Sequence, residues 1–189
     1  MDKELLIKRG IAFFIDFYLG ALVSTIPISI ISVTTIKTMT QNVFLLEKDI
    51  AIIAVMLGLF MLCIYYFVVP SYIFPSQTVG KKIIGITIDL NQKKKQKSLF
   101  KRQVIGYMLL EGSLTPTGKL VFQLISLLSG YNIVSIGLDV GNYITIASVG
   151  LLLCGRRHLM IHDYLGKSNV IINNSEKGKR IVKLKEKKI

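Results

Sequence analysis

Three groups of residues in this sequence have the types and spacing to do chemistry. The first is Arg9 and Asp16. Seven residues on a helix make about two turns, so both would face one side, with Asp16 roughly 10 Å further along the axis. A carboxylate inside an apolar span costs about 2.5–3.5 kcal/mol on insertion scales. It therefore needs a cation, a hydrogen-bond donor or a proton. That chemistry serves either an ion or proton site or a polar contact that fastens helices together, and the residues leave both open. The second group is Pro75–Lys82, which ends in Gly80-Lys81-Lys82. A phosphate loop would need Gly where Pro75 stands and Ser or Thr where Lys82 stands. Nucleotide binding is rejected, and a turn carrying interfacial lysines is expected. The third group is Arg156–Asp163, which contains His158 and His162. Zinc-protease chemistry would need Glu where Leu159 stands. The chain has 2 histidines, so a three-histidine site is excluded as well. Asp163 is expected to pair with a basic group near the membrane interface.

No Ser/His/Asp or Cys/His arrangement accompanies these groups, so neither catalytic residues nor an enzyme are expected. No metal and no cofactor are expected either. Cys63 and Cys154 both lie in apolar runs and read as small buried side chains.

The elements that must position these residues are membrane spans. The chain is 51% hydrophobic with a mean hydropathy of +0.55, yet holds 24 Lys+Arg against 11 Asp+Glu. Both properties fit one chain only if they are segregated, and apolar blocks do alternate with basic ones. The first block, 10–36, carries one charge, Asp16, and offers Pro27 as a point for a bend. Its length, its Asp and the lack of a small-residue cleavage site favour a retained helix over a leader. The second block, 50–74, has no charge. The third and fourth candidate spans are 118–138 and 140–157. Trp is absent, so Tyr65, Tyr66, Tyr72, Tyr131 and Tyr143, near block ends, are the candidates for an aromatic belt.

Between the second and third blocks lies a basic loop, 75–103. Its 98–111 end mixes Lys101, Arg102 and Gln103 with apolar residues and is expected to be a helix lying in the interface. Lys82–Asp89 and Ser168–Asn173 are β-rich and could pair as a small cytoplasmic ribbon. A basic tail, 173–189, follows a membrane domain over 1–172. By the positive-inside rule both termini and the basic loop face the cytoplasm. The basic loop and Arg156/Arg157 share a side, so an even number of crossings separates them, and four spans result. The expectation is an all-α polytopic membrane protein: four transmembrane helices, an interfacial helix and a short β-ribbon.

The three groups, in this order, resemble the RDD family of small bacterial membrane proteins. The resemblance matches the family's Arg and two Asp residues to Arg9, Asp16 and Asp163. Thr78–Ile88 is similar to the family's Thr-Pro-Gly-Lys block, with Val79 in place of Pro and with Gly80 and Lys81 kept. Arg157–Gly166 is similar to its Arg-Gln-x-x-His-Asp-x-x-Ala-Gly block. There Arg157, His162 and Gly166 are kept, His158 replaces Gln, one extra residue precedes His162, and Leu165 replaces Ala. The stretch 112–155 is not explained by it. The resemblance implies a bacterial cytoplasmic-membrane location and a role beside transport, in some members cation/proton antiport.

Two functions are therefore expected in competition. One is a cation/proton antiporter, or a subunit of one, working through Asp16. The other is a non-enzymatic accessory, assembly or immunity-type subunit in which Arg9, Asp16 and Asp163 are structural. The expected partners are the bilayer, with anionic lipids at the cytoplasmic face, and a homo-oligomer or membrane-complex partner. Juxtamembrane lysines are worth about 1 kcal/mol each at an anionic leaflet. Nucleic acid is not expected, because no recognisable nucleic-acid module accompanies the charge.

Overall fold

The computed structural model describes residues 3–90, 95–111 and 115–173. The expected turn at Asn91-Gln92, the start of the lysine run and tail residues 174–189 lie outside the described residues.

Within them the chain is an all-α polytopic membrane protein with one small sheet. Helix α1 (Lys3–Ile36) runs unbroken through Pro27. At 1.5 Å per residue it is about 51 Å long, so it overruns a ~30 Å hydrocarbon core. Its buried residues, Ala12, Asp16, Gly20, Ser24, Ile28 and Ser32, fall every fourth position. That narrow stripe is mostly small, which lets another helix approach closely. The partner is α2 (Lys48–Ile73), which is α-helical to Cys63 and wound as a π-helix from Ile64 to Ile73. The i→i+5 winding shows at its exit, where Phe74 N–H donates to the Val69 carbonyl at 2.9 Å. Between α1 and α2 the chain folds back, with Thr40 N–H on Ser32 Oγ.

Helix α3 (Val79–Ile84) follows, then strand β1 (Ile86–Asp89). The expected strand at 82–89 is thus half helix. Gly85, at φ 75°, takes the left-handed conformation that ends α3 and starts β1. Helix α4 covers Lys95–Phe100 and continues with π-helical winding over Lys101–Leu110. It lies across α2: the Phe100 ring meets Phe67, and seven residues later the Tyr107 ring meets Tyr66. A helix therefore covers most of the expected 98–111 stretch, but two of its polar residues are not turned to water. Arg102 and Gln103 are 1% and 2% exposed. For Arg102 the reason is an anion on the neighbouring element, described below.

The third expected span, 118–138, is not one helix. Helix α5 spans Pro116–Ser129, about 21 Å, and stops at Gly130, whose φ is 78°. That is shorter than the ~20 residues a crossing needs. Helix α6 (Val134–Cys154) begins six residues before the expected position 140 and takes in Asp139, whose exposed side chain places no charge inside the protein. So α1, α2 and α6 are long and apolar enough to cross a membrane, and α5 is a short fourth member. Helices α5 and α6 form a hairpin, with Phe122 against Gly137.

After α6 comes the short helix α7 (Ile161–Gly166), then β2 (Asn169–Ile172). The strands pair antiparallel, Ile86 opposite Ile172 and Asp89 opposite Asn169. Ile86 and Val170 pack with Ala12 of α1 in a small satellite core. The ribbon and α7 bring the chain after α6 back to the end of the bundle that holds α3 and α4.

Candidate functional site

The start of α1 and elements α3, α4 and α7 meet at that end and bury three carboxylates. Asp16 is 2% exposed. Its Oδ1 accepts from Tyr65 Oη at 2.8 Å and from the Gly80 N–H at 2.8 Å. Its Oδ2 accepts from Thr78 Oγ1 at 2.5 Å and faces Lys81 Nζ at 3.8 Å. Tyr66 Oη donates to the Asp16 backbone carbonyl at 3.0 Å. Tyr65 and Tyr66 are thus not belt residues. They sit on the inner side of α2 and turn their hydroxyls onto α1. Gly80 is required for the approach: a Cβ there would lie 2.9 Å from Asp16 Cγ and would overlap the Ala12 carbonyl. Lys81 is pushed down to about 8. Burial is the main cause; the Arg102 and Arg9 charges add to it, and Asp16 opposes it.

Asp163 is fully buried. Its Oδ2 accepts from Arg9 Nη2 at 2.6 Å, and its Oδ1 from Arg102 Nη2 at 2.5 Å and Nε at 3.1 Å. Its Oδ2 also accepts from the Met160 N–H at 3.2 Å, closing the first turn of α7. Burial by itself would raise the Asp163 pKa. The Arg102 guanidinium, His162 and Arg9 outweigh it and hold the carboxyl well below the usual carboxylate range. Gly166, one turn on, leaves room for Arg102, since a Cβ there would lie 2.7 Å from Arg102 Cβ.

The third carboxylate is Glu111, just past α4. Ser148 Oγ donates to it at 2.5 Å, the His162 N–H at 2.9 Å and His162 Nδ1 at 2.6 Å. Burial, chiefly, lowers the His162 pKa, against the opposing pull of Asp163 and Glu111. Burial of Glu111 opposes ionisation, but the His162 and Ser148 bonds outweigh it, and its pKa falls.

The structure brings together Arg9, Asp16, Gly80, Lys81, His162, Asp163 and Gly166. It does not pair Arg9 with Asp16. Arg9 instead bonds Asp163, while Asp16 is held by groups from α2 and α3. Arg157 stands apart with an exposed side chain. His158 has φ 49° ahead of α7, so it shares no helix face with His162, and its Nδ1 lies 3.0 Å from the Leu152 carbonyl. Three members were missed from sequence: Arg102, Glu111 and Tyr65. Arg102 was one cation among many in a basic loop. The only sequence signal for Glu111 was an isolated acid between apolar runs.

Chemically the arrangement is a pair of charge-assisted clasps. One joins α1 to α2 and α3 through Asp16, and the other joins α1 to α4 and α7 through Asp163. Lys81 lies between them. No curated protein and no solved structure matches the chain. The model of the RDD family does, over residues 5–167, a stretch that contains every residue of both clasps. This membrane protein belongs to the RDD family.

Proposed function

We propose that the chain is a non-enzymatic accessory subunit of a bacterial membrane complex, in which the Arg/Asp/Asp residues fix one end of the bundle for a partner. The observation that carries this is the state of Asp16. At 2% exposure, with both oxygens taken by donors from Tyr65, Thr78 and Gly80, it is committed to holding helices together. Asp163 is committed in the same way by two arginines. The setting is the bacterial cytoplasmic membrane with both termini cytoplasmic, where the basic loop meets anionic lipids. The test is affinity purification from native membranes in mild detergent. A stoichiometric membrane partner, lost from Asp163→Asn, is expected. Purification as a lone species would refute the reading.

A second reading, cation/proton antiport, draws on Lys81. A lysine pushed down to about 8 beside a carboxylate exchanges a proton near neutral pH. Vesicles holding native protein, Asp16→Asn or Lys81→Met would be compared for sodium-driven proton flux. Flux that both substitutions abolish supports antiport; equal flux in all three ends it.

A further inference from the structure

We propose that the groove between α1 and α5 binds the carboxylate of a single-tailed anionic amphiphile, a molecule of the fatty-acid class. The groove has a volume of about 330 Å³ and is walled by Phe17 and Ile28 of α1, Leu120 of α5 and Leu138 of α6. Ligand pockets run from about 300 to 1,000 Å³ and are mostly apolar with a few converging polar groups. Here the polar groups are Lys119 and Gln123, one helical turn apart on α5, so both reach one ligand head.

Among the described residues neither side chain is paired. Gln123 is 4% exposed, lines the groove, and has no hydrogen bond among the described residues. A buried amide without a partner is costly and is matched by a ligand acceptor. Lys119 forms no ion pair among the described residues. The only other charge in 112–155 is Asp139, which is exposed and unpaired with it. Lys119 is exposed at the groove. Its neighbour Leu120 packs on Gly58, ten residues and about 15 Å along α2, so the lysine stem starts well inside the bundle. A cation rooted there is matched by an anion.

The third contribution is the positive end of α5. Thr115 stands at the N-cap and Pro116 opens the first turn, and both line the groove, so the positive end of the helix faces it. A carboxylate there satisfies the ammonium and the amide together, while its tail lies along Phe17 and Ile28. The small volume suits one chain rather than two. The depth suits a carboxylate drawn below the level of phospholipid headgroups.

The probe is a diazirine-bearing palmitate, photo-crosslinked to the full chain in neutral-lipid nanodiscs. Labelling is expected on residues 17–28 or 115–123. Palmitate should compete, while hexadecanol and phosphatidylglycerol should be at least about tenfold weaker, equivalent to about 1.4 kcal/mol. Lys119→Met and Gln123→Leu should each cut labelling by a similar factor, and Lys119→Arg should retain it. Equal competition by hexadecanol would show an oily groove without carboxylate recognition and overturns the proposal. So does competition by phosphatidylglycerol alone, or full labelling of Lys119→Met. Cross-linking of the groove to another polypeptide, undiminished by palmitate, overturns it too. The competition arms use the native chain, so they decide the matter even if a variant fails to fold.

Discussion

Replacing Asp163 with Asn is the sharpest probe of the buried clasp. The native carboxylate carries three charge-assisted bonds to two guanidiniums, at 2.5, 2.6 and 3.1 Å. The Arg102 side chain is 1% exposed and that of Arg9 is 9% exposed. Asn is nearly isosteric, so packing is kept and only the charge goes. Two buried cations are then left facing one another. Removing one partner of a buried pair costs about 3–5 kcal/mol, and two stranded cations place this case at the upper end. At about 2–4 °C per kcal/mol for a chain of this size, the melting temperature should fall by roughly 8–20 °C. The assay is survival of the monodisperse peak on size exclusion in mild detergent after heating. A second cycle supplies the sign of the coupling. Arg102→Met removes one of the stranded cations, so the double variant should lose less than the sum, by about 0.5–3 kcal/mol. The carboxyl pKa is lowered on folding, so its contribution is complete above the unfolded value near 4 and is lost only as pH falls towards the folded one. Native protein should show that acid loss, and Asp163→Asn should not. A melting shift below about 2 °C, or strictly additive losses, would refute the clasp.

Three further outcomes follow from the same end of the bundle. Gly80→Ala should cost about 1–3 kcal/mol by overpacking, read by the same heating assay, because its Cβ would sit 2.9 Å from Asp16 Cγ. Tyr65→Phe removes one bond to Asp16 but keeps the ring. Its cost should lie between about 0.6 kcal/mol, the mean for polar contacts within membranes, and about 2 kcal/mol. The pKa of Lys81 is lowered on folding from 10.5 to about 8, so the unfolded chain holds more protons between those values. Stability should therefore rise from pH 8 to 10.5, by on the order of 2–3 kcal/mol, and Lys81→Met should flatten that rise in a pH series of melts.

The apolar blocks were legible because membrane spans advertise themselves by length, and α1 and α2 fall within a few residues of their expected ends apart from the N-terminal start of α1. The ribbon was legible from β-branched runs, although its first half went to helix because Val79-Gly80-Lys81-Lys82 is drawn onto Asp16. The 118–138 run failed as a span because hydropathy does not register a turn. Ser129-Gly130-Tyr131-Asn132 carries no charge yet breaks the helix. Arg9, Asp16 and Asp163 were found as rare charges beside apolar runs, but their pairing was not. Which cation meets which anion depends on how α4 and α7 pack, and that is a matter of contacts far apart in sequence. Arg102 is the clearest case. Nothing local distinguishes it from Lys101, yet one is exposed and the other is buried on Asp163.

The separation of the two clasps along the chain imposes an order on biogenesis. Synthesis runs from the N-terminus, and early segments fold while later ones are still being made. Every group that holds Asp16 has been synthesised by residue 81, so the first hairpin can close its own polar contact long before the chain is finished. Arg9 and Arg102 have to wait for residue 163, and the ribbon for residue 172. A nascent chain stalled between those points presents two unneutralised arginines and an unpaired strand edge, a signature by which quality-control proteases could tell an unfinished copy from a finished one.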